Sequence, residues 1–217
     1  MKSEITKLYQ LRFNKEIKKR HEIWGILCRD FFQKYVKNSD TIYDIGAGYC
    51  EFINNINAKN KVAIDINPET KKYAGKNVRV ITASSTRLPI RLTSTADVVF
   101  VSNFFEHLST KDELAITLNE IYKILKKNGK FIILMPNIRF TGAKYWDFLD
   151  HQLPLTGRSM LEALELHNFK ILESKPKFLP YSTKSKYPKF PFLVKIYLML
   201  PIFHFFLGEQ SLIVAQK

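Results

Sequence analysis

Acidic residues and cysteines are scarce in this chain. Its 217 residues include 20 Asp and Glu against 34 Lys and Arg, which gives a formal net charge of +14. The two cysteines, Cys28 and Cys50, have no second Cys or His at ligand spacing, which argues against a disulfide framework, and we predict no metal centre. Because residues 1–4 also lack the apolar run of a signal peptide, a reducing, cytoplasmic setting is expected.

The excess positive charge is concentrated in two segments. Residues 1–37 hold ten Lys and Arg against four Asp and Glu, and residues 170–195 hold seven against one. Basic patches attract nucleic acid, phospholipid or phosphorylated substrates, although lysine richness also simply keeps a protein soluble. Both interpretations stay open at this point.

A long uninterrupted hydrophobic run is also missing. Residues 190–207 approach the length of a membrane span, but two prolines, a lysine and a histidine interrupt them. Residues 211–215 then have the pattern of a strand, so we predict that the segment does not cross a membrane. Packing on the domain, a lid over the substrate, a homodimer face, and an interfacial position on an anionic membrane remain open.

Apolar runs alternate with helical segments through most of the chain. This alternation predicts an α/β fold with a doubly wound, mostly parallel sheet. We expect an N-terminal helical extension over residues 1–37 and one domain over 38–217, with the apolar insert at 187–208. The predicted strands cover residues 42–46, 61–66, 78–82, 97–102, 130–135, 169–175 and 211–215, and the main predicted helices cover about 50–57, 68–75, 110–126 and 157–168.

The first predicted strand runs directly into a glycine turn. Asp44 lies in the strand, Gly46 and Gly48 form the turn, and Asp65 ends the next apolar run. This arrangement is typical of a nucleotide-binding corner, where a carboxylate accepts hydrogen bonds from ribose hydroxyls. A dinucleotide fingerprint would place a third glycine at Glu51, whose charge would repel a pyrophosphate. A cofactor with a cationic centre and no phosphate fits better.

This spacing resembles the class I S-adenosylmethionine-dependent methyltransferases. The resemblance implies a Rossmann-like, seven-stranded sheet whose antiparallel last strand inserts between the fifth and sixth. It also implies S-adenosylmethionine as the cofactor, with Asp44 near its methionine end and Asp65 on its ribose. Cys50 departs from the pattern, because the family often has another glycine there.

Two further segments extend the resemblance. Residues 101–108 are similar to the family's S-N-x-x-E-H-L segment, which implies that Asn103 borders the cofactor and that Phe104 stacks near its adenine. Ser84 stands where the family usually has an aspartate for the adenine amino group, and a hydroxyl accepts that hydrogen bond without charge assistance.

Two histidines are the candidate general bases, because imidazole titrates near neutrality. His107 belongs to the segment just described, and His151 lies on a later loop expected above the same sheet edge. Glu106 and His107 can instead simply brace the following helix. Tyr145 and Trp146 either line the substrate pocket or pack in the core.

The predicted function is methyl transfer from S-adenosylmethionine to a hydroxyl of a small-molecule acceptor. Residues 178–186, 192–201 and 208–210 are similar to methyltransferases of bacterial surface-glycan biosynthesis, which implies a sugar or lipid-linked sugar acceptor and a peripheral position at the inner membrane face. An NAD-binding oxidoreductase and a non-catalytic membrane-associated adaptor are the alternatives. Nucleic acid is disfavoured as a substrate, because no Asn-Pro-Pro-Tyr-type segment follows the fourth strand.

Overall fold

A seven-stranded sheet forms the centre of the computed structural model, which describes residues 17–181 and 191–217. The strands lie in the order β3-β2-β1-β4-β5-β7-β6. Strands β1 to β5 pair in parallel, and β7 is antiparallel to both of its neighbours. The predicted fold class is therefore confirmed. The strands are β1 (Thr41–Ile45), β2 (Asn60–Asp65), β3 (Val78–Thr82), β4 (Ala96–Ser102), β5 (Leu125–Pro136), β6 (Lys170–Lys175) and β7 (Gln210–Gln216).

Helices cover both faces of the sheet. The described residues form α1 (Ile17–Asp30), α2 (Glu51–Asn55), α3 (Lys111–Ile124), α4 (Ile138–Thr141), α5 (Gly157–Leu166), α6 (Pro191–Met199) and α7 (Pro201–Leu207). They also form short 3-10 turns at Phe32–Tyr35, Pro68–Lys72, Ile90–Leu92, Phe105–His107 and Gly142–Asp147.

Two predicted helices are shorter in the structure. The helix expected over 68–75 is only the 3-10 turn Pro68–Lys72, whose first turn is capped by the Asn67 side chain. The helix expected over 110–126 ends at Ile124, because Leu125 is already extended and begins β5. Asn128 has a φ of 63° within the β5 span.

The N-terminal helix belongs to the core of the sheet. Leu27, Cys28 and Phe32 are buried in one cluster with Ile42 and Phe100 of the sheet. The predicted boundary at residue 37 therefore separates elements that share one apolar core, and the domain bounds remain a prediction. The expectations for residues 1–16 and 182–190 lie outside the described residues.

The apolar insert forms two short helices that are only partly buried. Val194, Tyr197 and Leu198 of α6 pack against the core cluster beside α1. The other large apolar side chains of the segment are exposed: Phe192, Ile196, Met199, Leu200, Ile202, Phe203, Phe205 and Phe206. Within the described ranges, no helix is both long and apolar enough to cross a bilayer.

Candidate active site

The turn after β1 has a backbone that few residues tolerate. Gly46 and Gly48 have φ values of 72° and 48°, and a Cβ added at Gly46 would lie 2.5 Å from the Phe104 ring. Cys50, at the N-terminus of α2, also has a positive φ of 58°. A left-handed conformation costs a non-glycine residue about 1–2 kcal/mol. Cys50, which departs from the family pattern, therefore lies at a position where the backbone favours glycine. We call residues 44–51 together with Asp65 the glycine corner.

Asp65 holds this turn through its carboxylate. One oxygen accepts a hydrogen bond from the Gly48 N–H and the other from the Asn67 N–H, both at 2.8 Å. Burial raises the pKa of Asp65, and the backbone donors at Asn67 and Gly48 offset part of that effect. Each carboxylate oxygen has a second lone pair. The Asp65 carboxylate thus keeps capacity to accept hydrogen bonds from ribose hydroxyls.

Asp44 is buried beneath the same turn, with 3% of its surface exposed. Its pKa is raised well above the ordinary value, first by burial and next by the nearby charge of Asp65. The corner is therefore locally acidic in a protein of net charge +14. Such a place favours a cationic ligand and disfavours an anionic one.

Glu51 does not contribute to this local charge as the sequence suggests. Arg20 of α1 forms a two-pronged ion pair with it, at 2.5 Å from Nε to Oε1 and 3.0 Å from Nη2 to Oε2. Sequence reasoning missed Arg20, because no local signal shows how α1 docks on α2. The charge of Glu51 still contributes to the raised pKa of Asp44, but its pairing with Arg20 weakens the repulsion of a pyrophosphate that the sequence alone suggests.

Three other residues predicted to contact the cofactor lie at the ends of β3 and β4. The Ser84 hydroxyl is 2.8 Å from that of Thr86, within its own loop. Asn103 has a φ of 47°, and its buried Oδ1 has no hydrogen-bond partner among the described residues. Phe104 covers Gly46. An orphaned acceptor beside the glycine corner is what an absent polar ligand would satisfy.

The two candidate bases come together in the structure. The rings of His107 and His151 are 5.1 Å apart, and the ligand atoms of Glu106, His107 and His151 all lie within 4.8 Å of one another. We call these three residues the histidine cluster. His107 is also near enough to Asp65 for its charged form to lower the Asp65 pKa. The cluster also follows directly in sequence after Phe104, whose ring covers Gly46 of the glycine corner.

Backbone hydrogen bonds create this arrangement. The carbonyl of Glu106 accepts from the N–H groups of Gln152 and Leu153, at 2.8 and 3.2 Å, which fixes the loop that carries His151. Tyr145 is fully buried and donates from its hydroxyl to the Leu153 carbonyl at 2.6 Å, whereas Trp146 is exposed. Tyr145 therefore supports the loop from the core.

Each histidine of the cluster has one nitrogen engaged. The Nδ1 of His151 is 2.8 Å from the Tyr145 carbonyl, and the Nδ1 of His107 is 3.2 Å from the Asp150 carbonyl and 3.3 Å from its Oδ2. A carbonyl partner requires Nδ1 to carry the proton, so each neutral ring keeps its lone pair on Nε2.

Glu106 is the unexpected member of the cluster. It is 2% exposed, and neither carboxylate oxygen has a hydrogen-bond partner among the described residues. Burial raises its pKa to about 7, and the charge of His107 lowers it in part. No spacing pattern in the sequence pairs Glu106 with either histidine or predicts that these three side chains lie in one place.

Comparison with known proteins finds a family match for part of the chain and solved structures of the same fold. Residues 43–133 match the family model described as a methyltransferase domain. A solved S-adenosylmethionine-dependent methyltransferase from Archaeoglobus fulgidus superposes with a TM-score of 0.64 at 20% identity, over 94% of this chain and 99% of the other. A Haloferax volcanii complex that contains the Trm112 methyltransferase activator gives a TM-score of 0.66 at 16% identity, over 93% of this chain and 91% of that one.

The curated relatives carry no assigned activity. Two uncharacterized proteins of Methanocaldococcus jannaschii are 31% and 30% identical over 121 and 147 residues, which are 55% and 66% of this chain. The chain spans 46% and 61% of their lengths. The same fold also occurs in the [4+2]-cyclase SpnF, with a TM-score of 0.59 at 15% identity over 87% of this chain and 78% of that one.

Residues 43–133 thus match a methyltransferase domain, and the chain has the fold of solved S-adenosylmethionine-dependent methyltransferases. Both findings agree with S-adenosylmethionine, the cofactor that the sequence predicts. The residues of the glycine corner fit this group, since they combine open carboxylate acceptors with a locally acidic site. The individual residue roles, the acceptor and the cellular location stay predictions.

Proposed function

We propose that this protein transfers a methyl group from S-adenosylmethionine to a hydroxyl of a sugar or lipid-linked sugar. The observation that carries the proposal is the histidine cluster, which lies against the glycine corner and offers proton-accepting side chains where an acceptor would enter. S-adenosylmethionine supplies an already activated methyl group, so the protein has mainly to align the acceptor and remove one proton.

The chain's own residues divide into two groups in this proposal. Asp44, Gly46, Gly48, Asp65, Ser84, Asn103 and Phe104 hold and orient the cofactor. His107 and His151 face the acceptor. His107 is the better base of the two, since it is partly exposed and Asp150 holds its ring, whereas His151 is 7% exposed and stacks on Phe148 at 4.9 Å.

Acceptor class is testable by measuring S-adenosylhomocysteine release with matched panels of hydroxyl and amine acceptors. We expect turnover with hydroxylated sugars or their lipid-linked forms. This turnover should be lost in His107→Ala and kept in His167→Ala, which changes a partly exposed histidine at the end of α5 that contacts Asn119. Turnover only with amines would contradict the proposed acceptor. Binding of NAD in place of S-adenosylhomocysteine would favour an oxidoreductase.

We propose further that the acceptor is met at an anionic membrane surface. Eight large apolar side chains of residues 191–207 are exposed, and residues 187–208 contain no Asp or Glu. Lys177 adjoins this face, because its Nζ donates to the Phe205 carbonyl at 2.7 Å. Exposed aromatic and aliphatic side chains in a segment without acidic residues suit the headgroup region of anionic lipids.

This apolar face is also connected to the histidine cluster. Glu209, directly after α7 and Gly208, pairs with Lys144 at 2.6 Å and accepts from the Tyr181 N–H at 3.2 Å. The Tyr181 ring lies 6.4 Å from that of His151. A face that rests on lipid would therefore bring a lipid-linked acceptor toward the cluster.

Vesicle co-sedimentation tests the membrane proposal. We expect binding to phosphatidylglycerol vesicles, weak binding to phosphatidylcholine vesicles, and loss of binding in the double variant Phe205→Ser/Phe206→Ser. Leu166→Ser, which removes an exposed leucine of α5, should bind like the wild type. Equal binding by both variants would contradict the proposal, and a dimer in solution dissociated by the double variant would assign the face to a second copy.

A further inference from the structure

The carboxylate of Glu106 is buried beside two imidazole rings. Both of its oxygens are inaccessible and have no hydrogen-bond partner among the described residues. A buried charge is costly unless an opposite charge compensates it. A carboxylate oxygen of Glu106 and one ring nitrogen from each of His107 and His151 all lie within 4.8 Å of one another. These rings are therefore near enough for their charge to act on the carboxylate.

The backbone of Glu106 holds the carboxylate in this position. Its carbonyl accepts hydrogen bonds from the N–H groups of Gln152 and Leu153, at 2.8 and 3.2 Å. Glu106 and His107 also belong to one 3-10 turn, Phe105–His107. Because the turn and the later loop are tied together at Glu106, the fold itself sets the spacing between the carboxylate and the His107 ring.

Asp150 and Glu106 act on His107 in different ways. The Nδ1 of His107 lies 3.2 Å from the Asp150 carbonyl and 3.3 Å from its Oδ2, so Asp150 contacts the ring and orients it. Glu106 makes no hydrogen bond to the ring, so it acts on His107 through its charge. The Asp150 side chain is 24% exposed, and solvent screens its charge more than it screens the charge of the buried Glu106.

We propose that Glu106 is a positioning residue that stabilises the protonated form of His107. In the proposed function, the O–H bond of the acceptor breaks and its proton forms an N–H bond on Nε2 of His107. The neutral ring thereby gains a positive charge near the Glu106 carboxylate, and an opposite charge within about 4–6 Å favours the charged form. This role rests on the proposed function, whereas the charge coupling between the two side chains does not.

The ionisation of Glu106 is coupled to its surroundings. Burial raises the pKa of Glu106 to about 7, the charge of His107 lowers it in part, and the charge of Asp150 raises it. Glu106 is therefore partly ionised near neutral pH, and its ionisation is favoured when His107 gains a proton. Other titratable groups also face this pair, namely Asp65, Tyr145 and His151.

Carboxyl NMR titration of the cofactor-free protein tests the coupling without any turnover. The Glu106 signal, assigned through its backbone connectivities, should titrate with a pKa of about 7 in the wild type. His107→Asn removes the charge that lowers the Glu106 pKa and alters only a partly exposed ring, so the midpoint should move to higher pH. His167→Asn is the matched control and should leave the midpoint unchanged, because His167 contacts Asn119 instead. An unchanged midpoint in His107→Asn would overturn the inference.

Turnover assays test the role of Glu106 in methyl transfer. Glu106→Gln keeps the shape of the side chain and removes its charge. General-base catalysis as a whole contributes about 10²–10⁴-fold, so we expect kcat to fall by about tenfold. The Kd for S-adenosylhomocysteine should not change, which also shows that the variant folds.

The pH profile separates this role from a merely structural one. Without the Glu106 charge, the acidic limb of the kcat profile should move to lower pH, because the protonated base is less stabilised. A fall in kcat with an unmoved limb would overturn the role. Coupled titration in a protein that turns over no hydroxyl acceptor would instead contradict the proposed function and keep the coupling.

Discussion

The glycine corner and the histidine cluster meet at one sheet edge but differ in how their polar groups are satisfied. In the corner, Asp65 accepts two backbone N–H groups and Glu51 is paired with Arg20. In the cluster, Glu106 is more deeply buried and has no such partners among the described residues. The carboxylates of the corner are therefore paired largely within the chain, whereas the Glu106 carboxylate is buried without such pairing among the described residues.

The largest effect should come from filling the space under Phe104. Gly46→Ala adds a Cβ at a φ of 72° and 2.5 Å from the Phe104 ring, so we expect the free energy of unfolding to fall by about 2–4 kcal/mol. The double variant Gly46→Ala/Phe104→Ala relieves the overlap but keeps the backbone strain. Denaturant titration that finds Gly46→Ala as stable as the wild type would show that the corner is not rigid.

Removal of the Asp65 carboxylate should act mainly on cofactor affinity. Hydrogen bonds to a charged group are worth about 1.5–3 kcal/mol, so Asp65→Ala should weaken S-adenosylmethionine binding by about 10- to 100-fold in isothermal titration. Asp112→Ala removes an exposed carboxylate at the start of α3 and is the control. Unchanged affinity in Asp65→Ala would refute the ribose assignment.

Asp44→Asn should stabilise the cofactor-free protein at neutral pH. The pKa of Asp44 is raised in the folded state by burial and by Asp65, so the folded state holds its proton more tightly than the unfolded state. Stability is then lost as pH rises from the ordinary carboxyl pKa through the raised one. The Tm difference between variant and wild type should grow from pH 4 to pH 8. A Tm difference that does not change with pH would contradict a raised pKa for the Asp44 carboxyl.

Glu51→Gln should have the smallest effect. Its pair with Arg20 is only partly buried, and such pairs contribute about 0.2–1 kcal/mol. Cofactor affinity should change by less than a few-fold, because Arg20 already offsets the charge of the Glu51 carboxylate. A loss of cofactor affinity comparable to that in Asp65→Ala would mean that the charge of Glu51 contributes directly to cofactor binding.

The difference between the glycine corner and the histidine cluster also explains which parts of the site the sequence predicts. Asp44, Gly46, Gly48 and Asp65 lie on consecutive elements, so their spacing alone predicts a strand, a turn, a helix and the next strand. The insertion of β7 between β5 and β6 followed from the resemblance. The proximity of His151 to Glu106 depends on a loop held by backbone hydrogen bonds, and the Arg20–Glu51 pair depends on how α1 docks. Neither of these two contacts leaves a periodic or local pattern in the sequence.

The apolar insert shows a further limit. The hydrophobicity of residues 190–207 is equally consistent with packing on the domain, a lid, a homodimer face and a membrane interface. The structure buries Val194, Tyr197 and Leu198 of α6 against the core but leaves Phe205 and Phe206 of α7 exposed. Hydrophobicity alone does not tell which side of a short helix meets the core, because both sides of these helices are apolar.

A crystal structure with S-adenosylhomocysteine tests the central claim most directly. The account predicts the adenosyl group above Gly46 and Gly48, with both ribose hydroxyls within hydrogen-bonding distance of the Asp65 carboxylate and the sulfur facing the histidine cluster. Density elsewhere, or a dinucleotide pyrophosphate over those glycines in its place, would contradict it.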